Sequence, residues 1–250
     1  MSRGLAFLLV LVGAACSFNE SSERDELVVS AAASLREVMT AAALSFKETH
    51  PSLSVQLNFA SSGALRQQIE LGSPAEVFVS ASTEHVDRLV ESGLVASADR
   101  RIFARNELVL VTTKEDIRSL EDLEDDAVTR VAIGDPRSVP AGKYSLQWLE
   151  AEGLWERIQE KAVLGGDVRQ VLSYLERGEV DAGIVYATDA KLVGLEPVWI
   201  ASGPNAPAVE YEAALVGGSR EPRAIARQFF DYLGSDEAIR ELEAAGFIAP

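Results

Sequence analysis

The chain has 250 residues, 47% of them hydrophobic and 25% charged, with a formal net charge of −16. That is a globular composition, long enough for one large domain or two compact lobes. So acidic a surface argues against nucleic acid as a partner, and against attachment to anionic lipid through a basic patch. The one cysteine, Cys16, leaves no internal disulfide framework to form.

The first residues read as an export signal, residues 1–15. Arg3 supplies the positive start, Leu5 to Val12 the apolar run, and Gly13, Ala14 and Ala15 the small residues before Cys16. The run is too short for a permanent membrane span. Cys16 is expected to be lipidated, with residues 16–26 as a tether; cleavage by an ordinary signal peptidase would equally leave Cys16 first. Removing the single charge of Arg3 makes the mature chain one unit more acidic.

After the tether, short apolar runs alternate with segments of helical period. Leu27 to Ala32 predicts a buried strand. Leu35, Val38, Met39, Ala42 and Phe46 predict a helix that stops at His50-Pro51. Strands are expected at Val55 to Phe59 and Glu76 to Ala81, and helices at Ala64 to Leu71 and Thr83 to Glu91. The theme repeats with strands at Leu108 to Thr112, Arg130 to Ile133, Ala162 to Leu164 and Gly183 to Tyr186. Helices fall at Gly142 to Glu150 and Val168 to Glu176. Residues 195–207 are rich in Gly and Pro and read as a linker. A strand at Tyr211 to Val216 and helices at Pro222 to Leu233 and Ser235 to Ala245 close the chain. Such repeated strand–helix units predict an α/β fold with mainly parallel sheets flanked by helices. The expected division is residues 27–104 for lobe 1, 105–205 for lobe 2, and 206–250 returning to lobe 1.

In parallel α/β sheets, ligands sit beyond the carboxyl ends of strands, where helix N-termini converge. Four junctions there are built of small residues: Ala31 to Leu35 with Ser34 as the expected N-cap, Phe59 to Gly63, Val139 to Gly142, and Gly166 to Val168. Small residues let a ligand approach free backbone N–H groups, serine adds a hydroxyl, and a helix N-terminus carries partial positive charge. An anion ringed by such neutral donors needs no Lys or Arg, which reconciles it with an acidic surface. Taken singly, each serine is more often a plain cap or turn residue.

Enzyme readings find less support. His50 ends a helix and His85 lies in the first turn of a helix that reads as exposed. Neither sits in a nucleophile or metal motif, and G-x-S-x-G, H-E-x-x-H and the P-loop pattern are absent from the sequence. No metal ligand set and no cofactor are expected. A hydrolase using Ser34 or Ser62 as nucleophile would need a base that the sequence does not propose.

The segments AAASL, NFASSGALRQQIELGSPAEVFVSA, GDPRSVPAGKY, DVRQVL, GIVYATDA and YLGSDEAIRELEAAGF run in order from Leu27 to Phe247. Together they resemble the periplasmic molybdate-binding proteins of ABC importers. The resemblance implies a two-lobed, type II periplasmic-binding-protein fold that closes on a tetrahedral oxyanion in the interlobe cleft. It implies molybdate or tungstate as the transported ligand, an ABC permease and its cytoplasmic ATPase as partners, and a monomer outside the cytoplasm. By motif it assigns ligand contacts to Ser34, Ser62, Ala141, Val168 and Tyr186. The first four coincide with the junctions above; Tyr186, from its surroundings alone, reads as a core aromatic at a strand end. A site of donors only suits a proton-free dianion, and so disfavours phosphate. Sulfate stays open as an alternative ligand, and Asp167 and Asp189 stay open as carboxylate acceptors.

Overall fold

A computed structural model describes residues 26–218 and 221–250. The export signal, Cys16 and all but the last residue of the tether lie outside the described residues.

The first apolar run forms strand β1 (Glu26–Ala32), buried along nearly its whole length. Its period then changes through a short 3-10 turn at Ala33–Leu35 into helix α1 (Arg36–Thr49). Helix α1 buries Val38, Met39, Ala42, Ala43 and Phe46 along one stripe and stops before Pro51. Then come β2 (Ser54–Ala60), α2 (Ser62–Glu70), β3 (Val77–Ser80), α3 (Thr83–Glu91) and β4 (Arg100–Asn106). Strand β5 (Leu108–Thr112) opens the second half, followed by β6 (Val131–Gly134), α4 (Pro140–Ala151), the single turn α5 (Trp155–Ile158) and β7 (Ala162–Gly165). The rest is α6 (Val168–Glu176), β8 (Ala182–Tyr186), α7 (Ala187–Leu192), β9 (Trp199–Ile200), β10 (Val209–Leu215), α8 (Ala224–Tyr232) and α9 (Asp236–Ala245).

Two five-stranded sheets result. The first has the order β2-β1-β3-β10-β4 and the second β7-β6-β8-β5-β9. Strand β10 runs antiparallel to β3 and β4, and β5 runs antiparallel to β8 and β9. The remaining pairings are parallel, so each sheet is mainly parallel with one reversed strand. The reversals have a topological cause. The chain passes from β4 at Asn106 into β5 at Leu108 and re-enters the first sheet as β10 after β9. A strand that arrives across a hinge from the neighbouring lobe runs against strands that arrive through local helices.

Four elements were not anticipated from the sequence, the single turn α5 among them. Strand β4 is rich in charge (Arg100, Arg101, Arg105) and lacks an apolar run. Helix α7 follows β8 directly with no punctuating residue. The Gly- and Pro-rich segment contains the two-residue strand β9, whose Trp199 and Ile200 are half exposed. Helix α2 begins at Ser62 rather than Ala64, because Ser61 caps it by accepting from the Ala64 N–H at 3.4 Å.

Each lobe buries its own apolar face. In the first, Phe46 of α1 meets Phe229 of α8 edge to face, with ring centroids 5.2 Å apart. In the second, α4 lies almost on the backbone of β6. A Cβ at Gly142 would stand 1.9 Å from the Gly134 carbonyl oxygen, so only glycine admits this approach. Pro140 starts α4 at the position where its missing N–H costs nothing.

Candidate functional site

The carboxyl ends of β1, β2, β6, β7 and β8 point at one region between the lobes. The residues after them line a small pocket whose free volume, about 10 Å³, is roughly that of one water. Ser34, Ser62, Ala141, Val168 and Tyr186 all border it. Each is at most 4% exposed, although the first two belong to one lobe and the other three to the other. A larger groove lies beside it between α3 and α4. Glu84, Arg88, Arg137 and Lys143 line that groove with mixed charge and no convergence of donors.

Ser34 is not the N-cap of α1. It lies within the 3-10 turn, where Ala32 occupies the cap position without a side-chain bond. Freed from capping, its Oγ sits 3.1 Å from the hydroxyl of Tyr211 in β10. Ser62 is the first residue of α2, one beyond the capping Ser61. Its Oγ accepts the Ala81 N–H at 3.0 Å, which ties the end of β3 to the helix start. Ala141 lies in the first turn of α4, where backbone N–H groups have no intrahelical partner. Val168 opens α6. The cap there is Asp167, whose carboxylate accepts the Gln170 N–H at 2.9 Å. Asp167 borders the cavity, but this bond engages its carboxylate as a cap.

Tyr186 ends β8 and is 1% exposed. Its hydroxyl is buried and makes no hydrogen bond of good geometry, although the Tyr211 hydroxyl stands close enough to act on it. Burial, together with the Tyr211, Tyr144 and Asp189 oxygens, raises its pKa well above 10, so the phenol keeps its proton. Such an orphan costs a protein free energy unless something meets it.

Two further groups join the lobes. Arg169, on α6, places its Nε 3.0 Å from the wholly buried Asp189 of α7. Its Nη2 reaches across to donate to the Ser34 carbonyl at 3.3 Å and pairs with Glu37. Burial lifts the Asp189 carboxyl to about 7, against the pull of Arg169 and aided by Glu37 and Asp167. Asp189 is thus engaged with a cation and does not border the cavity. Across the cleft, the Gly63 N–H donates to the Ser138 carbonyl at 2.9 Å, and Lys143 of α4 pairs with Glu84 of α3.

His85 departs from its sequence reading. It is only 9% exposed, and burial pushes its pKa down to about 4. Its neighbours on α3, Val86 and Leu89, are buried too, so the helix turns this face inward. Sequence reasoning also missed Tyr211, Asn106 and Arg169. Tyr211 sits in a strand that reads as ordinary sheet, Asn106 in the charged strand β4 that the sequence does not announce, and Arg169 reads as one more surface cation. Among the described residues no group of three or more His, Cys, Asp or Glu side chains is placed to hold a metal ion.

The model of one protein family, described as bacterial extracellular solute-binding protein, matches residues 27–248. The chain belongs to that family. This solute-binding protein is 39% identical to the "Putative ABC transporter substrate-binding lipoprotein YvgL" of Bacillus subtilis, over 98% of the chain and 95% of that relative. It is 34% identical to the molybdate-binding protein ModA of Escherichia coli, over 96% of the chain and 97% of that protein. Its fold superposes on the periplasmic molybdate-binding protein of Azotobacter vinelandii with a TM-score of 0.79 and 25% identity, covering 90% of the chain and 99% of the other. The two-lobed architecture is therefore that of the periplasmic binding proteins. The bacterial extracellular solute-binding proteins are binding components, not enzymes, and act outside the cytoplasm. Among the described residues no helix is long and apolar enough to cross a membrane.

Proposed function

We propose that this solute-binding protein captures molybdate, and tungstate with it, in the interlobe cavity and delivers it to an ABC permease driven by a cytoplasmic ATPase. The observation that carries this reading is a buried ring of donors that has no cationic side chain and whose one carboxylate, Asp167, is engaged as the cap of α6. It comprises two serine hydroxyls, an unpartnered tyrosine hydroxyl, and the first turns of α2, α4 and α6. Ser34, Ser62, Ala141, Val168 and Tyr186 hold the anion. Helix N-termini supply partial positive charge, so a dianion is stabilised without a counter-ion. The ligand favours the closed arrangement because only there do both lobes reach it. The relatives' names support molybdate as the anion. The protein works as a monomer, held at the membrane through lipid on Cys16, with lobe 1 extending to Asn106 at the end of β4 in place of residue 104, and residues 206–250 returning to it.

Calorimetric titration of the purified protein with molybdate, tungstate, sulfate and phosphate tests the reading. Molybdate and tungstate bind, and sulfate and phosphate fail to compete. Tight binding of sulfate with no response to molybdate would overturn the choice of anion.

A further inference from the structure

Tyr211 and Asn106 lie outside the set of five ligand residues, in the strands that carry the chain out of the first lobe and back into it. Asn106 ends β4, one residue before the crossing into β5, and Tyr211 is the third residue of β10 after the return. Both are buried, at 6% and 0% exposed. The hydrogen bonds of Asn106 have a direction that the geometry determines. The Asn106 Oδ1 accepts the Glu107 N–H at 2.9 Å, which turns its Nδ2 toward Thr188 Oγ1 at 2.8 Å and Tyr211 Oη at 3.4 Å. An amide nitrogen only donates, so Tyr211 Oη accepts there. Its remaining hydrogen has the Ser34 Oγ in reach at 3.1 Å, with the Tyr186 hydroxyl as the competing neighbour. The Ser34 hydroxyl then accepts from Tyr211 and turns its own hydrogen toward the cavity.

We propose that Tyr211, directed by Asn106, is a positioning residue that holds Ser34 as a hydrogen-bond donor to the bound anion. The relay runs from Asn106 Nδ2 to Tyr211 Oη to Ser34 Oγ and ends on a ligand oxygen. Ser62 has the same treatment by other means, since its Oγ already accepts the Ala81 N–H. With one lone pair of each serine already occupied, a protonated anion such as hydrogen phosphate finds fewer acceptors for its own hydrogen there. Chained hydrogen bonds also polarise one another, which strengthens the last donor. The relay rests on the molybdate reading and assigns the selectivity of that site to residues that do not touch the ligand.

Tyr211→Phe removes the hydroxyl and keeps the ring, which packs against Tyr186 at 5.6 Å and Phe247 at 5.4 Å between centroids. The expected result is about tenfold weaker molybdate binding by calorimetry, a loss of one charge-assisted donor's orientation. In a Ser34→Ala background the same change has no further effect. The ratio of molybdate to phosphate affinity falls, because the released Ser34 can now accept. Equal losses for every oxyanion, adding to those of Ser34→Ala, would show a merely structural role and overturn the relay. So would unchanged molybdate affinity in Tyr211→Phe. Should that variant not fold, Asn106→Leu removes the directing donor at similar volume and is expected to weaken binding in the same Ser34-dependent way. If the wild-type protein itself does not bind molybdate, the functional reading fails; if it binds and the variants match it, only the relay fails.

Discussion

The Gly63 N–H and the Ser138 carbonyl meet across the cleft at 2.9 Å, joining the start of α2 in one lobe to the loop before α4 in the other. No side chain fits between them: a Cβ on Gly63 would lie 2.5 Å from that oxygen. The contact belongs to the closed arrangement, and it spends on the partner lobe an N–H that would otherwise face the ligand. Gly63→Ala is therefore expected to hold the lobes apart by roughly an ångström at this point, since the obstacle is backbone. Overpacking of this kind costs about 1–3 kcal/mol, so molybdate binding should weaken roughly ten- to a hundredfold. Thermal stability of the unliganded protein should change little, since the lobes can open. Calorimetry and a melting curve on the same variant separate the two effects.

In the proposed site Ser34 and Ser62 each give one hydroxyl hydrogen to the anion. A hydrogen bond to a charged group contributes about 1.5–3 kcal/mol, so Ser34→Ala or Ser62→Ala should weaken molybdate binding roughly ten- to a hundredfold. Unchanged affinity in both variants would remove these residues from the site.

Tyr186 tests whether its orphan hydroxyl serves a ligand. Without one it is buried and has no hydrogen bond of good geometry. Tyr186→Phe is expected to leave the melting temperature of the unliganded protein unchanged or higher, because an unmet polar group is removed. Molybdate affinity should drop by about tenfold in the same variant. A loss of unliganded stability with unaltered binding would make Tyr186 a packing residue only.

Asp189 gives the fold a pH dependence of definite sign. Its pKa rises from 3.8 to about 7 on folding, chiefly through burial. The folded state therefore holds this proton more tightly than the unfolded chain. The stabilisation is complete below pH 3.8, is lost progressively as pH rises from 3.8 to 7, and is absent above 7. In Asp189→Asn the side chain no longer titrates. The stability difference between wild type and variant should therefore shift against the wild type between pH 4 and 7. Urea midpoints across that range check it, and parallel curves would contradict it.

His85 acts in the opposite sense. Burial lowers its pKa from 6.5 to about 4, so the folded state prefers the neutral ring. Its contribution is present above pH 6.5 and is lost as pH falls toward 4. His85→Gln should flatten stability over that window, read by the same denaturation series.

Local pattern determined most of the elements and the place of the site. Continuous apolar runs mark β1, β3, β6 and β8, and small residues after strand ends mark the turns that line the cavity, because both signals are encoded within a few adjacent residues. Only the tertiary structure decided what those turns do with their donors. Ser34 reads as a helix cap in sequence. It is released from that task by a phenol that stands 177 positions further on and comes back through the second crossing. Likewise Asp189 reads as a possible acceptor for the ligand until Arg169 is seen to claim it, and His85 reads as exposed until α3 is rotated inward against its sheet. A hydroxyl's role as donor or acceptor depends on which partner reaches it first. That partner is set by how two sheets close on each other, and no short stretch of the chain records it.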